Sequence, residues 1–478
     1  MTNSEAIWNH VEANSAAAIA VSDRVWSYSE LAYREFRSSA EHRRALEAAG
    51  FHVETSVGGL PTAIMGEAGS GGPVIAFLGE YDALPGLSQK AGVITPEPEP
   101  GTNSGHGCGH NLLGAAALLA ALAVKDWLAS TGEPGRVRYF GCPAEEGGAG
   151  KVFMVRAGAF DGVDTAITWH PASTTRVDEG QSLANVRIAF SFTGRSSHAA
   201  VAPHLGRSAL DAAELMNMGV NYLREHMPSD ARIHYAYLDA GGTAPNVVQA
   251  QASLIYAIRA RSLPELSSLT NRVCNIAAGA ALMTETVVEH RITGAYSNLL
   301  PNPALRETMH RAMMRLGPVP FDTADRALAA EYQRTFSPDH IAADYRQIGR
   351  EPASGQPLFD EIVPLDAPIA PRMSSTDVAD VSWVTPTVEG RIATHAMGTQ
   401  PHTWQITAQG KAPAARKGMI HAAKVMAATA VDLLTNPDLL ARVKDDHSAR
   451  IAATPYRCPI PDSVGAPIVP IPQDMADA

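Results

Sequence analysis

Apolar positions recur with a helical period from about Ser4 to Gly50, and beyond that short unbroken apolar runs alternate with longer helical stretches. The runs "PVIAFLG" (73–79), "RVRYFGC" (136–142) and "TAITWH" (165–170) read as buried strands, each flanked by glycine or proline. An alanine- and leucine-rich helix at about 111–129 separates the first two. This alternation predicts a mostly parallel sheet, in which ligands bind just beyond the carboxyl ends of the strands. The polar clusters obey that rule. "GEYDALPG" follows the first run, "PAEEGG" the second and "HP" the third, while "HGCGHN" lies in the loop feeding the helix.

Two-residue alternation returns at Asn185 in "NVRIAFSF", followed by a helix at about 207–227 and a strand at 232–239. A strand across 246–260, a helix at 264–282 and the strand "ETVVEHRIT" complete a βαββαβ order, the split-βαβ arrangement. The expectation is an α/β protein whose mixed, mostly parallel catalytic domain (residues 1–184 and 296–454) is interrupted by an inserted ferredoxin-like domain (185–295). A proline-rich tail, 455–478, should run extended along a surface. The glycines of "GEAGSGG" (66–72) precede a strand instead of joining a strand to a helix, which predicts a hairpin and not a phosphate loop. There is no G-x-S-x-G motif, and a serine-hydrolase reading is weaker for it.

A chain of 478 residues is long for one domain. Its 38 basic and 49 acidic side chains leave a formal charge of −11, with no basic stripe, which argues against a nucleic-acid partner. The apolar run "LLGAAALLAALAV" has 13 residues and contains a glycine, short of the roughly 20 that a bilayer span needs. The first residues lack the basic and apolar regions of a signal peptide, and four cysteines are too few for a disulfide framework. The expectation is a cytoplasmic protein with no membrane partner.

Cys108 and His110 alone fit either a metal site or a glycine-rich turn. Glu145 and Glu146 could be surface acids, but they follow a buried run, and burying two like charges together is costly unless a cation or a shared proton relieves it. His170 ends an apolar strand, and His402 follows a small-residue loop. Jointly the candidates supply one thiolate, three imidazoles and a carboxylate, with a second carboxylate beside it. Mixed S/N/O donors suit zinc, manganese, cobalt or nickel. Five ligands exceed the three typical of one catalytic zinc, so two metals bridged by the thiolate become plausible, and the spare glutamate is placed to deprotonate an activated water.

The motifs "GEYDALPGL", "SGHGCGHNLLGAAALLAA", "PAEEGGAGK", "SSHAAVAPHLGRSALDA", "APNVVQ" and "PHTWQ", in this order, resemble the amidohydrolase branch of the aminoacylase and glutamate-carboxypeptidase metallopeptidase superfamily. The similarity covers about residues 5–440, and the longer "CGHN", "GEYDALPG" and "HTWQ" forms are most similar to the p-aminobenzoyl-glutamate hydrolases. The resemblance implies a metallopeptidase-type catalytic domain with a lid and dimerisation insert, and two divalent transition-metal ions, manganese or zinc. It implies that Cys108 bridges the metals, that His110 and His170 complete one site and that Glu146 and His402 complete the other. Glu145 matches the general base, and Asp82 an aspartate that orients a ligand from behind. His198 and Asn246 match groups that reach the scissile carbonyl, often across a dimer interface, and Arg259 matches a clamp on the substrate carboxylate. The implied reaction is amide hydrolysis of an N-acyl amino acid, p-aminobenzoyl-glutamate first and indole-acetyl-aspartate as the alternative. A homodimer or a heterodimer with a similar subunit is expected, and a non-catalytic or regulatory subunit is the rival of a different class.

Two departures stand out. Asn111 replaces an aspartate common after "CGH", and Glu80 stands where the peptidase branch uses a metal histidine. His395 is the fallback ligand should the register of the last loop differ. Arg259 lies 13 residues after Asn246, an odd spacing that sets them on opposite faces of one strand unless a bulge or twist reorients one.

Overall fold

The computed structural model describes residues 3–470 except 179, 354 and 372. The amphipathic N-terminal stretch forms two helices, α1 (Asn3–Tyr28) and α2 (Phe36–Ala48). The break falls where Ser29 and Tyr33 take φ of 42° and 62°, a left-handed backbone that a right-handed helix cannot continue through. Next come β1 (His52–Thr55), β2 (Ile64–Ser70), β3 (Val74–Glu80), the short pair β4 (Leu84–Pro85) and β5 (Ser104–Gly105), and α3 (His110–Thr131). They are followed by β6 (Gly135–Cys142), α4 (Gly150–Arg156), β7 (Thr165–Ala172) and β8 (Arg176–Val177). The inserted unit is β9 (Ala184–Thr193), α5 (Ala209–Leu223), β10 (Arg232–Asp239), β11 (Gln251–Ala260), α6 (Leu263–Thr284) and β12 (Val287–Tyr296). The chain then forms α7 (Pro303–Leu316), α8 (Thr323–Gln333), α9 (Pro338–Gln347), α10 (Val378–Val384), β13 (Thr387–Ala393), α11 (Trp404–Gln409), α12 (Pro413–Leu434) and α13 (Pro437–Ala453).

The main sheet has the order β1-β2-β6-β3-β7-β13-β8. Its centre, β6-β3-β7-β13, is parallel, and its edges are antiparallel. Every residue of β3 is buried, as a central parallel strand covered on both faces requires. The expected hairpin is not there: β6 lies between β2 and β3. Ser70 at the end of β2 pairs with Gly135, and Val74 at the start of β3 pairs with Arg136, so the glycine turn carries the chain past the first residues of β6.

Helix α3 has 22 residues and is long and apolar enough to cross a membrane. It is instead a core helix. From His110 to Val124 every residue is buried, and the helix packs on α1, α12 and the sheet. Alanine dominates because neighbours approach it from several sides, and the Trp169 indole ties down its start by donating to Leu113 O at 3.1 Å.

The insert is a four-stranded antiparallel sheet, β10-β11-β9-β12, with α5 and α6 on one face. Even-numbered residues of β9 and β11, such as Ile188, Phe190, Leu254 and Ile258, are buried. Odd-numbered ones, Arg187 and Arg259 among them, sit on the opposite face. Strand β11 begins only at Gln251, so Asn246 lies in the preceding turn and the parity argument linking it to Arg259 does not apply. Residues 455–470 form neither helix nor strand. Ile460 is buried and Arg156 Nη1 donates to Pro461 O and Val464 O, which ties this segment to α4.

Candidate metal centre

The ends of four parallel strands bring the candidate ligands together. Gly109 begins α3 at φ 76°, where a side chain would also crowd the Pro171 ring. That turn presents Cys108 to two histidines at once, its Sγ lying 3.6 Å from His170 Nε2 and 3.6 Å from His402 Nε2. His402 arrives because its N–H donates to Gly107 O at 2.9 Å. Its φ of 59° is one a non-glycine residue rarely takes. Among the described residues, three groups of ligand atoms lie within 4.8 Å of one another: Cys108, His110 and His170; Cys108, Glu146 and His402; and Glu80, His110 and Glu145. The first two share Cys108. His402 Nε2 is 3.5 Å from Glu146 Oε2.

Asp82, just past β3, does two things. Its Oδ1 lies 2.9 Å from His110 Nδ1, and its Oδ2 accepts the Glu146 N–H at 2.8 Å. A carboxylate on Nδ1 fixes the imidazole tautomer and leaves Nε2 to face the cluster.

The Glu145–Glu146 pair sits in a turn, because β6 ends at Cys142 and Ala144 takes φ 59°. The turn is tied from every side. Glu35 Oε1 accepts the Ala144 N–H at 2.9 Å, the Tyr33 hydroxyl donates to Gly148 O at 2.5 Å, and the Tyr296 hydroxyl reaches Glu145 O at 3.5 Å. Beneath it Lys151 is fully buried, donating to Glu80 Oε1 at 2.5 Å and Asp377 Oδ1 at 2.7 Å. Sequence reasoning missed Glu35, Lys151 and Asp377, for which no local signal exists. Glu80 was visible only as a missing histidine, and here it lies 3.3 Å from His110 Nε2 while pairing with the lysine.

Charge is unbalanced at this site. Burial, reinforced by Glu80 and Glu146, pushes the Glu145 carboxyl well above its ordinary range. Burial raises Glu146 too, and burial with the Glu146 charge lifts the Cys108 thiol to about 12. Burial would raise Asp82 as well, but the His110 hydrogen bond and charge hold it below its usual value. Glu146 Oε1 and His110 Nε2 are buried without a hydrogen-bond partner among the described residues. An acid-rich cavity with orphaned ligand atoms and a shared thiol fits divalent transition metals, whose charge would stabilise the ionised forms.

The lid residues are placed differently. His198 and Asn246 are exposed and adjacent, Ala199 N donating to Asn246 O at 2.9 Å. No hydrogen bond or ion pair among the described residues joins either to the candidate ligands. Arg259 is partly buried, its Nη1 donating to Ser375 Oγ at 3.3 Å. Asn111 donates to Ser22 Oγ and Gly410 O, serving the packing of α3. His395 is buried against Thr394 Oγ1, and it belongs to none of the three ligand groups. It lines a cavity of about 90 Å³ that also touches Cys108, His170, Arg176 and Asp344.

Residues 76–349 match the model of Peptidase family M20/M25/M40. Over 464 residues the chain is 45% identical to the B-type subunit of p-aminobenzoyl-glutamate hydrolase from Escherichia coli (strain K12), a match spanning 95% of this chain and 96% of that protein. The chain belongs to the M20/M25/M40 peptidase family. Within that family it is a metal-dependent hydrolase of amide bonds. The Xaa-Arg dipeptidase of Mus musculus is 31% identical over 448 residues, covering 90% of this chain and 89% of its own length. The crystal structure of an aminobenzoyl-glutamate utilization protein from Klebsiella pneumoniae superposes with a TM-score of 0.59 over 89% of this chain and 97% of that one, at 18% identity, a likeness of fold.

Proposed function

We propose that this M20-family chain cleaves p-aminobenzoyl-glutamate to p-aminobenzoate and glutamate, using two divalent metals, manganese or zinc. The observation carrying this reading is the sharing of Cys108 between two ligand groups, with Glu145 beside Glu146 in the half-buried turn after β6. Cys108 would bridge, His110 and His170 would complete one site, and Glu146 and His402 the other. When bound, the metals would supply positive charge that polarises the scissile carbonyl and acidifies water.

This chain's own residues do the rest. Glu145 takes a proton from the attacking water as its oxygen bonds to the carbonyl carbon, and returns it to the amide nitrogen as the C–N bond breaks. Asp82 holds the His110 tautomer. Glu35 and Tyr33 fix the turn so that Glu145 keeps its aim. His198 and Asn246 stabilise the carbonyl oxygen, and Arg259 clamps the α-carboxylate with its planar fork.

Exposure of His198 favours a dimer. Val201, Leu205 and Val247 around it are exposed, and Tyr235, Tyr237 and Leu238 stand exposed on the outermost strand β10. Such an apolar patch marks an interface. The partner is a second copy or an A-type chain, since the Escherichia coli relative carries the name of one subunit among at least two. A reducing compartment such as the cytoplasm keeps Cys108 available as a thiolate ligand. The test is hydrolysis of p-aminobenzoyl-glutamate, indole-acetyl-aspartate and Xaa-Arg dipeptides by metal-reconstituted protein. Turnover of the first, abolished by chelator, is expected. No turnover of any of them, with metal bound, contradicts the reading and favours a regulatory role.

A further inference from the structure

The face of the lid sheet opposite its helices carries two arginines that point to one place. Arg259 on β11 pairs across the ladder with Asn185 of β9, and Arg187 lies two residues further along β9, on the same face and diagonal to Arg259. Arg187 Nη1 donates to Gly147 O at 3.3 Å, in the turn that carries Glu145 and Glu146. The approach is close enough that a Cβ on Gly147 would collide with that nitrogen. Arg259 is anchored beside it on Ser375. Tyr296, which also pairs with Asn185, completes the patch and touches Glu145 O.

Neither guanidinium is neutralised. Other lid arginines find carboxylates, Arg207 with Glu285 and Arg261 with Asp230. Among the described residues no carboxylate lies within ion-pair distance of Arg187 or Arg259. Burial and the neighbouring Arg187 charge push the Arg259 guanidinium below its ordinary value. Two adjacent, partly buried cations with unused N–H groups form an anion site, and in a chain of net charge −11 such a patch is local by construction.

We propose that Arg187 is a specificity-determining residue: with Arg259 on the α-carboxylate, it holds a second carboxylate on the substrate's amino-acid side chain and so selects acidic leaving amino acids. This rests on the hydrolase reading above and deepens it. It also separates this chain from a relative named for Xaa-Arg dipeptides, in which the second residue carries the opposite charge.

The test compares p-aminobenzoyl-glutamate with p-aminobenzoyl-glutamine, which keeps the α-carboxylate and loses the second charge. Wild type should prefer the glutamate compound, and Arg187→Gln should lower that preference in kcat/KM by about ten- to hundredfold, the worth of a charged hydrogen bond. Arg259→Gln should lower kcat/KM on both compounds. Calorimetry with glutarate gives a readout independent of turnover: its affinity should fall about tenfold in Arg187→Gln, while butyrate, a monocarboxylate, should show no such gap. An unchanged preference, or glutarate bound equally by both proteins, overturns the assignment. Should wild type cleave no p-aminobenzoyl compound yet bind glutarate through Arg187, the substrate reading fails and the anion site stands.

Discussion

The turn at residues 144–148 and the lid segment at 198–201 both present polar groups, and they are built in opposite ways. The turn is sunk beyond the parallel strands, and Glu35, Asp82, Tyr33, Tyr296 and Arg187 each hold one of its backbone groups. The lid segment is exposed, and His198 Nδ1 merely accepts the N–H groups of its own loop, Ala200 and Val201. The contrast fits the two tasks proposed for them. Moving a proton needs groups whose positions are fixed before substrate arrives, whereas groups that grasp a substrate can come into place with it, by lid closure or from a second chain.

The largest effect should come from the turn. Glu145→Gln keeps the shape and loses the proposed base, so turnover should fall about 10²- to 10⁴-fold with bound metal retained, as read by steady-state kinetics beside elemental analysis. Near-normal turnover would show that the fixed turn does not carry the proton.

Support beneath the turn comes next. Lys151→Met leaves Glu80 and Asp377 buried without their cation and should destabilise the fold by about 3–5 kcal/mol, read by denaturant unfolding. With Lys151 present, burial already places Asp377 near 6, above its ordinary value, so without the lysine it should rise further. A carboxyl raised on folding binds its proton more tightly in the native state, so the variant's stability should recover as pH falls from about 7 towards 5. A pH-independent loss would mean that the lysine's role is packing alone.

The lid should respond more mildly and in a different measure. His198→Ala should lower kcat/KM without changing metal content. If the residue acts across an interface, mixing His198→Ala with Glu145→Gln should restore part of the activity, because one site of a mixed dimer is intact. A fully active monomer would rule out the trans arrangement.

How much of this was legible follows the same division. The candidate ligands Cys108, His110, His170, Glu146 and His402 could be nominated because metal-binding residue types stood at the ends of buried runs, where open sheets bind ligands. The βαββαβ insert was legible because its alternation switches cleanly between periods of two and 3.6. What escaped depends on contacts distant in sequence. Glu35 meets Ala144 across 109 residues, and Lys151 meets Asp377 across 226. No local pattern marks a lysine as buried. The break between α1 and α2 rests on two left-handed residues, neither of them glycine or proline. The supposed hairpin failed because strand order, which sets β6 between β2 and β3, is not written in the turn.

Cys108 would join two metal sites, and Glu145 would serve them without being a ligand. Metal content per chain, measured after reconstitution with manganese or zinc on wild type, Cys108→Ser and Glu145→Gln, tests it directly. Two ions are expected in wild type, two in Glu145→Gln and a clear loss in Cys108→Ser. Full occupancy in Cys108→Ser, or loss of metal in Glu145→Gln, would contradict it.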